Sequence, residues 1–379
     1  MIQLPESEDL PIDRLASVFR NVTNSYKYFW FLTILELIES NDSNGILSLE
    51  DISIRMLSNV WYPLDFYKLS FGKQDGFKPL MQIVNSKIKV DNTSNSAPLY
   101  EQIVDKLSLE EQKDLSEQVK VLLRWVPYRF QRPFLSDQIG SIKDSKVNEA
   151  IVEYATRSFT QSDAKAMYSF GKNGTIHIQP KWLNYLQKNC AILKGFAYWE
   201  LCKFIQKNNP NISGIVEKLS KPTRRNLKDA SLFWNKFLEI NNQIVCIYSD
   251  QIIGKDNLSI DHFIPWRYVV HDKIWNLIPT IGKVNSSKSD NLPSINRYLS
   301  KFTDLHFIAF SQIYSSASSQ RDHKMLEEYA IIFKDDLPAI KDYPYDIFAR
   351  KMIDIIHPLY QTAANLGFEP NWIYKSEER

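Results

Sequence analysis

Apolar residues recur at helical spacing over most of this chain, and strand-like alternation is confined to two short places. The most apolar stretch, residues 21–40 (NVTNSYKYFWFLTILELIES), leaves little polar face beyond Thr33, Glu36 and Glu39. A helix apolar on most sides is a buried one, and Asn24 is placed to cap it. Ser48 with Asp51 reads as a capping box for a helix running to about Asn59, where Trp61-Tyr62-Pro63 ends it. Ser108 with Glu111 opens a charged amphipathic helix through Arg124, and the two prolines of the segment 125–134 are expected to break helix. Pro180 suits a helix start, and apolar positions from Trp182 to Leu201 continue the helical pattern. After Pro293 three further helices are predicted, over 296–315, 322–333 and 344–365.

The period changes first at Tyr168–Phe170 and Thr175–Ile178, which flank Lys172-Asn173-Gly174. Asn-Gly tolerates the positive φ that a tight hairpin turn requires. It changes again over residues 258–293 (LSIDHFIPWRYVVHDKIWNLIPTIGKVNSSKSDNLP). This stretch reads as a strand carrying Asp261-His262, a proline-marked turn and an irregular loop. A second strand at Asn276-Leu277-Ile278 and a polar helix start with Asn285 and Lys288 complete it. The chain is therefore an α+β fold, mostly α-helical. It divides into a helical N-terminal domain (1–165), a hairpin with a helical connector (166–240), a small strand–strand–helix domain (241–300) and a helical C-terminal extension (301–379).

Composition narrows the class. The 379 residues are 44% hydrophobic and 24% charged, as expected of a soluble globular protein, and the 11 glycines are few enough to favour helix. No apolar run approaches a membrane span, and the acidic start MIQLPESEDLP is unlike a signal peptide. Three cysteines, Cys190, Cys202 and Cys246, are too few for a disulfide framework, so a cytoplasmic protein is expected. A net charge of +2 announces no global nucleic-acid binder, so any electrostatic footprint must be local. The clearest is residues 218–236, with six basic residues against Asp229, among them Arg224, Arg225 and Lys228. Trp125 to Phe134 interleaves basic and aromatic residues, a pattern that stacks bases or simply packs as a connector. His306, His323 and His357 form no ligand pattern with one another, and His177, in the second strand of the hairpin beside apolar neighbours, reads as structural.

Residues 258–293 carry the chemistry. Phosphodiester hydrolysis needs an activated water, charge stabilisation on the phosphate and help for the departing oxygen. Asp261 offers a carboxylate and Asn285 an amide oxygen, hard donors that suit Mg²⁺. Histidine is the side-chain type whose intrinsic proton affinity suits a general base near neutral pH, which makes His262 the candidate. Asn276 is cast as a brace that ties the loop behind His262. Lys288, three residues after Asn285 and on the same helix face, is expected to meet a phosphate, as is Lys283.

The segment Asp261-His262-x-x-Pro265, Asn276-Leu277 and Asn285-x-x-Lys288-Ser289-Asp290-Asn291-x-Pro293 resembles the HNH, or ββα-metal, nuclease superfamily. It is similar in particular to the HNH domain of RNA-guided CRISPR effectors. The resemblance implies Asp261 and Asn285 as metal ligands, His262 as general base and Asn276 as a structural residue, with Mg²⁺ or Mn²⁺ as cofactor. Two departures stand out. Cys246 has Ser249 where a second cysteine of a zinc frame would fall, so no structural zinc is expected. The region before Val245 lacks guide-binding features, so guided cleavage is not implied. The remainder resembles helical accessory regions of bacterial HNH defence proteins.

The expectation is a metal-dependent HNH endonuclease that nicks or cuts DNA, in anti-phage defence or restriction. The alternatives are a catalytically silent DNA-binding or assembly module, and an effector nuclease switched on by a partner protein or signal molecule. DNA, a second copy of the chain or a partner defence protein are the expected partners, and a membrane is not.

Overall fold

From Tyr28 to Leu35 every side chain of the helix Tyr26–Glu39 is buried, so the stretch with the least polar face is the centre of its own core. The computed structural model describes residues 3–40, 44–91, 97–161, 164–222 and 225–376. Asn24 Oδ1 accepts the Tyr26 N–H at 3.3 Å, while Asp75 does more at the same helix start. Its Oδ2 accepts both the Ser25 N–H (2.9 Å) and the Ser25 hydroxyl (2.6 Å). The helices Cys190–Asn208 and Leu49–Trp61 pack on this central one.

The capping signals correspond to helix starts. Ser48 accepts from the N–H groups of Glu50 and Asp51 at the head of Leu49–Trp61. Ser108 and Glu111 exchange both hydrogen bonds of a capping box at the head of Leu109–Leu123, worth about 1 kcal/mol. Proline misleads twice. Trp61-Tyr62-Pro63 does not end its helix, which continues as a wider-wound turn over Tyr62–Phe66. Pro127 does not break helix either; it lies in the first turn of Val126–Gln131, where its missing N–H costs nothing. The hairpin forms with Asn173 and Gly174 both at positive φ, +62° and +70°. Its strands β2 (Tyr168–Phe170) and β3 (Thr175–Ile178) are joined by β1 (Ile46–Ser48) in the order β1-β3-β2, all antiparallel. With three residues, β1 is too short to show an alternation.

Two compact units result, one of residues Met1–Pro210 with Ile215–Pro222, the other of Asn211–Gly214 with Thr223–Arg379. The second holds the helices Ile295–Ser316, Gln320–Phe333 and Tyr345–Asn365, close to the predicted bounds, and the helices Lys228–Asn241 and Leu337–Lys341, for which no bounds are predicted. It also holds two antiparallel strand pairs, β4 (Ile244–Val245) with β5 (Ile252–Ile253), and β6 (Leu258–His262) with β7 (Leu277–Ile281). One continuous core runs through this unit from Ala230 to Phe368, so the strand–strand–helix domain and the C-terminal helices are packed together. Among the described residues, no helix is long and apolar enough to cross a membrane.

His306 lies in that core, its Nδ1 2.6 Å from the Tyr329 hydroxyl and its Nε2 without a hydrogen-bond partner among the described residues. Burial pushes its imidazole down to about 3. The unfolded chain therefore binds the proton first, and stability falls as pH drops from about 6.5 toward 3, by up to about 1.4 kcal/mol per unit. Urea unfolding between about pH 7 and pH 4.5 is expected to show this loss, with a shallower slope in His306→Phe. An equal slope in both proteins would contradict the assignment.

Candidate active site

Antiparallel pairing sets Asp261 opposite Ile278 and His262 opposite Leu277, and the helix Gly282–Lys288 follows β7 directly. The segment is thus a ββα unit with its polar residues gathered at one end. Neighbours on a strand point to opposite faces. Here His262 is the last residue of β6, and both it and Asp261 line one polar cavity of about 290 Å³. Asn285, Ser286 and Arg225 line the same cavity.

Asp261 is buried, and both its oxygens are engaged. The Tyr248 hydroxyl donates to Oδ2 at 2.9 Å, and the Lys288 ammonium lies 3.1 Å from the carboxylate. Burial and the neighbouring carboxylate push the Tyr248 phenol well up, so it remains a donor. Lys288 also donates to the His262 carbonyl at 2.7 Å and is 0% exposed. The expected phosphate contact at Lys288 is thus replaced by an internal role. The helix turns this side chain inward, where an unpaired ammonium would be costly and Asp261 neutralises it.

His262 Nε2 lies 2.9 Å from Asp272 Oδ1, and the other Asp272 oxygen accepts the Asn226 N–H at 2.6 Å. Burial raises the Asp272 carboxyl, but the hydrogen bonds from His262 and Asn226 and the charges of His262 and Arg225 bring it below its ordinary value. An ionised carboxylate only accepts, so Nε2 carries a proton and Nδ1 is left with the lone pair. Asp272 and Tyr248 were missed in the sequence. The available signal for Asp272 was a lone acid inside an otherwise apolar and basic loop, ten residues beyond the histidine.

That loop reaches back through a strained turn. Val270, a β-branched residue, has φ +55° at the end of the short helix Trp266–Val269. Glu328 of the helix Gln320–Phe333 accepts the Ile274 N–H at 2.5 Å and fixes the loop from the other side. Asn276 is fully buried and clasps Ile264 twice, Oδ1 accepting its N–H and Nδ2 donating to its carbonyl, both at 2.9 Å. Its own carbonyl accepts the Phe263 N–H at 2.8 Å, so one asparagine holds the turn after His262.

Asn285 Nδ2 donates to Ser259 Oγ and to the Ile260 carbonyl, both at 3.0 Å. A carbonyl only accepts, so the amide nitrogen is fixed there and Oδ1 lies on the other side of the group. A carboxylate has about four acceptor sites, so Asp261 keeps lone pairs beside its two partners. These two oxygens are hard donors of the kind that a divalent cation prefers. Among the described residues, no group of three or more His, Cys, Asp or Glu could hold a metal.

The segment that carries this geometry has a counterpart among known families. Residues 246–294 match the family model described as HNH endonuclease. The match points to a nuclease, a hydrolase acting on nucleic acid. No curated protein and no solved structure matches the chain. Within the matched segment Cys246 is a buried free thiol 3.3 Å from the Thr280 hydroxyl.

The basic residues disperse. Arg225 is exposed, lines the cavity and sits 5.0 Å over the Trp266 ring. Lys228 and Lys283 are exposed, while Arg224 lies outside the described residues. Within the cluster 218–236, Lys218 is buried and Lys236 pairs with Asp322 at 2.6 Å. Lys288→Ala is expected to destabilise the protein by about 3–5 kcal/mol in urea unfolding, because it leaves Asp261 buried and unpaired. A change under about 1 kcal/mol would show that the pair contributes little.

Proposed function

We propose that this protein is a metal-dependent endonuclease that hydrolyses phosphodiester bonds of DNA in the cavity lined by Asp261, His262 and Asn285. The observation that carries the reading is the convergence of those three side chains on one polar cavity inside the segment that matches the HNH endonuclease family. Asp261 and Asn285 would hold Mg²⁺ or Mn²⁺, which supplies charge stabilisation to the phosphate and the departing oxygen.

His262 acts as general base. With Nε2 held by Asp272, the Nδ1 lone pair takes the proton of the attacking water, and Asp272 stabilises the imidazolium that results. Asn276 keeps the turn after His262 from relaxing, so the ring does not have to be oriented during the reaction. Lys288 supports the site from beneath, holding the Asp261 carboxylate and the His262 carbonyl in one place. Its ammonium also opposes a free cation at Asp261, so tight metal binding is expected only when phosphate adds its negative charge. Arg225 at the cavity, with Lys228 and Lys283 on the surface, supplies positive charge for the strand.

Single-turnover cleavage of a labelled DNA duplex in Mg²⁺ tests these roles. His262→Ala is expected to lower the rate by about 10²–10⁴-fold with DNA binding retained. Asp272→Asn replaces the carboxylate by a neutral amide that can present a donor to Nε2 and no longer stabilises the imidazolium, and is expected to lower the rate by about 10²–10⁴-fold. Full activity in His262→Ala would remove it as the base. Wild-type rates in Asp272→Asn would remove the proposed dyad.

A further inference from the structure

A second cavity, of about 710 Å³, lies in the unit of residues Met1–Pro210 with Ile215–Pro222. Its walls come from the end of the helix Ile12–Ser17 and the segment after it, the start of Tyr26–Glu39, and the helix Val126–Gln131 with its flanks. Five cations line it, Arg14, Arg20, Lys27, Arg129 and Arg132, against the single acid Asp144. Its volume falls within the roughly 300–1,000 Å³ of small-molecule sites.

The charges are arranged around an anion. Arg129 grips Asp144 with two nitrogens, Nη1 to Oδ1 at 2.6 Å and Nη2 to Oδ2 at 3.0 Å, and Arg132 reaches the same Oδ1 at 3.4 Å. Two guanidinium groups on one exposed carboxylate form a fork that a phosphate can also occupy. Arg20 is exposed and makes no ion pair or side-chain hydrogen bond among the described residues. Among the described residues, Lys27 donates only to the Val18 carbonyl (3.2 Å). Burial, with the charges of Arg132 and Arg129, pushes its amine down to about 8. Beside these groups stands Trp125, 47% exposed, with the Arg124 and Arg129 guanidinium carbons 5.1 and 5.5 Å from its ring centre. A half-exposed indole lining a basic cavity offers a stacking surface next to phosphate donors.

We propose that this cavity binds a small phosphorylated ligand of the nucleotide class, its phosphates on Arg129, Arg132 and Arg20 and its base against Trp125. The site shares no residue with those assigned to hydrolysis, and its occupancy is read without any cleavage.

The test is calorimetric titration of the full chain in EDTA with ATP, GTP, CTP, UTP, inorganic pyrophosphate, adenosine and a single-stranded oligonucleotide. At least one nucleotide is expected to bind with a Kd between about 1 μM and 1 mM, and pyrophosphate to bind more weakly. Arg132→Glu is expected to weaken the nucleotide at least tenfold. Trp125→Ala is expected to weaken the nucleotide at least tenfold and leave pyrophosphate unchanged. Arg132 and Trp125 are exposed, so the unliganded melting temperature serves as the folding control; Arg20→Ala replaces either variant if that temperature falls. The proposal is overturned if neither nucleotide nor pyrophosphate binds at millimolar concentration, or if the variants bind as the wild type does. Adenosine binding as tightly as ATP would overturn the phosphate assignment, and binding of the oligonucleotide alone would make the cavity part of a nucleic-acid surface instead.

Discussion

The ββα segment depends on one buried ion pair. Lys288 is wholly enclosed, and its ammonium joins the last helix of the segment to Asp261 and His262 at the end of β6. Burying a charge without a partner costs several kcal/mol, so neither residue is tolerable there alone. The pair makes the helix, the strand and the cavity edge a single arrangement. Tyr248 adds a second donor to the same carboxylate and is itself packed edge-on against Tyr298 and Trp372. The electrostatics of the site and the packing of the C-terminal helices are thereby one problem.

A segment as short as residues 246–294 cannot bury enough apolar surface to hold its own shape, and small domains usually answer with metals or disulfides. Here the neighbours supply the support. Trp234 of the helix Lys228–Asn241 donates to the Leu277 carbonyl at 3.2 Å, and Phe263 packs on Phe302 with ring centres 4.3 Å apart. Leu292 and Ser294 take their backbone partners from Glu369 and Trp372 near the other end of the chain. A substitution far along the sequence, at Trp372 or Glu328, therefore acts on the site through the elements it braces.

Much of this was legible in the sequence where the signal is local. The capping serines, the Asn-Gly hairpin turn and the strand–strand–helix rhythm around Asp261 each follow from short-range chemistry, and each has its element in the fold. Readings that needed the third dimension went astray. Lys288 shares a helix face with Asn285 by spacing, but only the packing decides that this face turns inward. Asp272 sits in a loop with no period, and its approach to His262 depends on the left-handed turn at Val270. The basic run 218–236 reads as one patch in sequence, while burial removes Lys218 and an ion pair removes Lys236.

The claim that organises this account is that the cavity at Asp261, His262 and Asn285 cuts phosphodiesters with the help of a divalent cation. Incubation of the wild-type protein with supercoiled plasmid, in Mg²⁺ and in EDTA, tests it most directly. The account predicts conversion to open-circular or linear DNA in Mg²⁺ and intact supercoils in EDTA. Cleavage that continues unchanged in EDTA, or plasmid left intact at every Mg²⁺ and Mn²⁺ concentration, would contradict it.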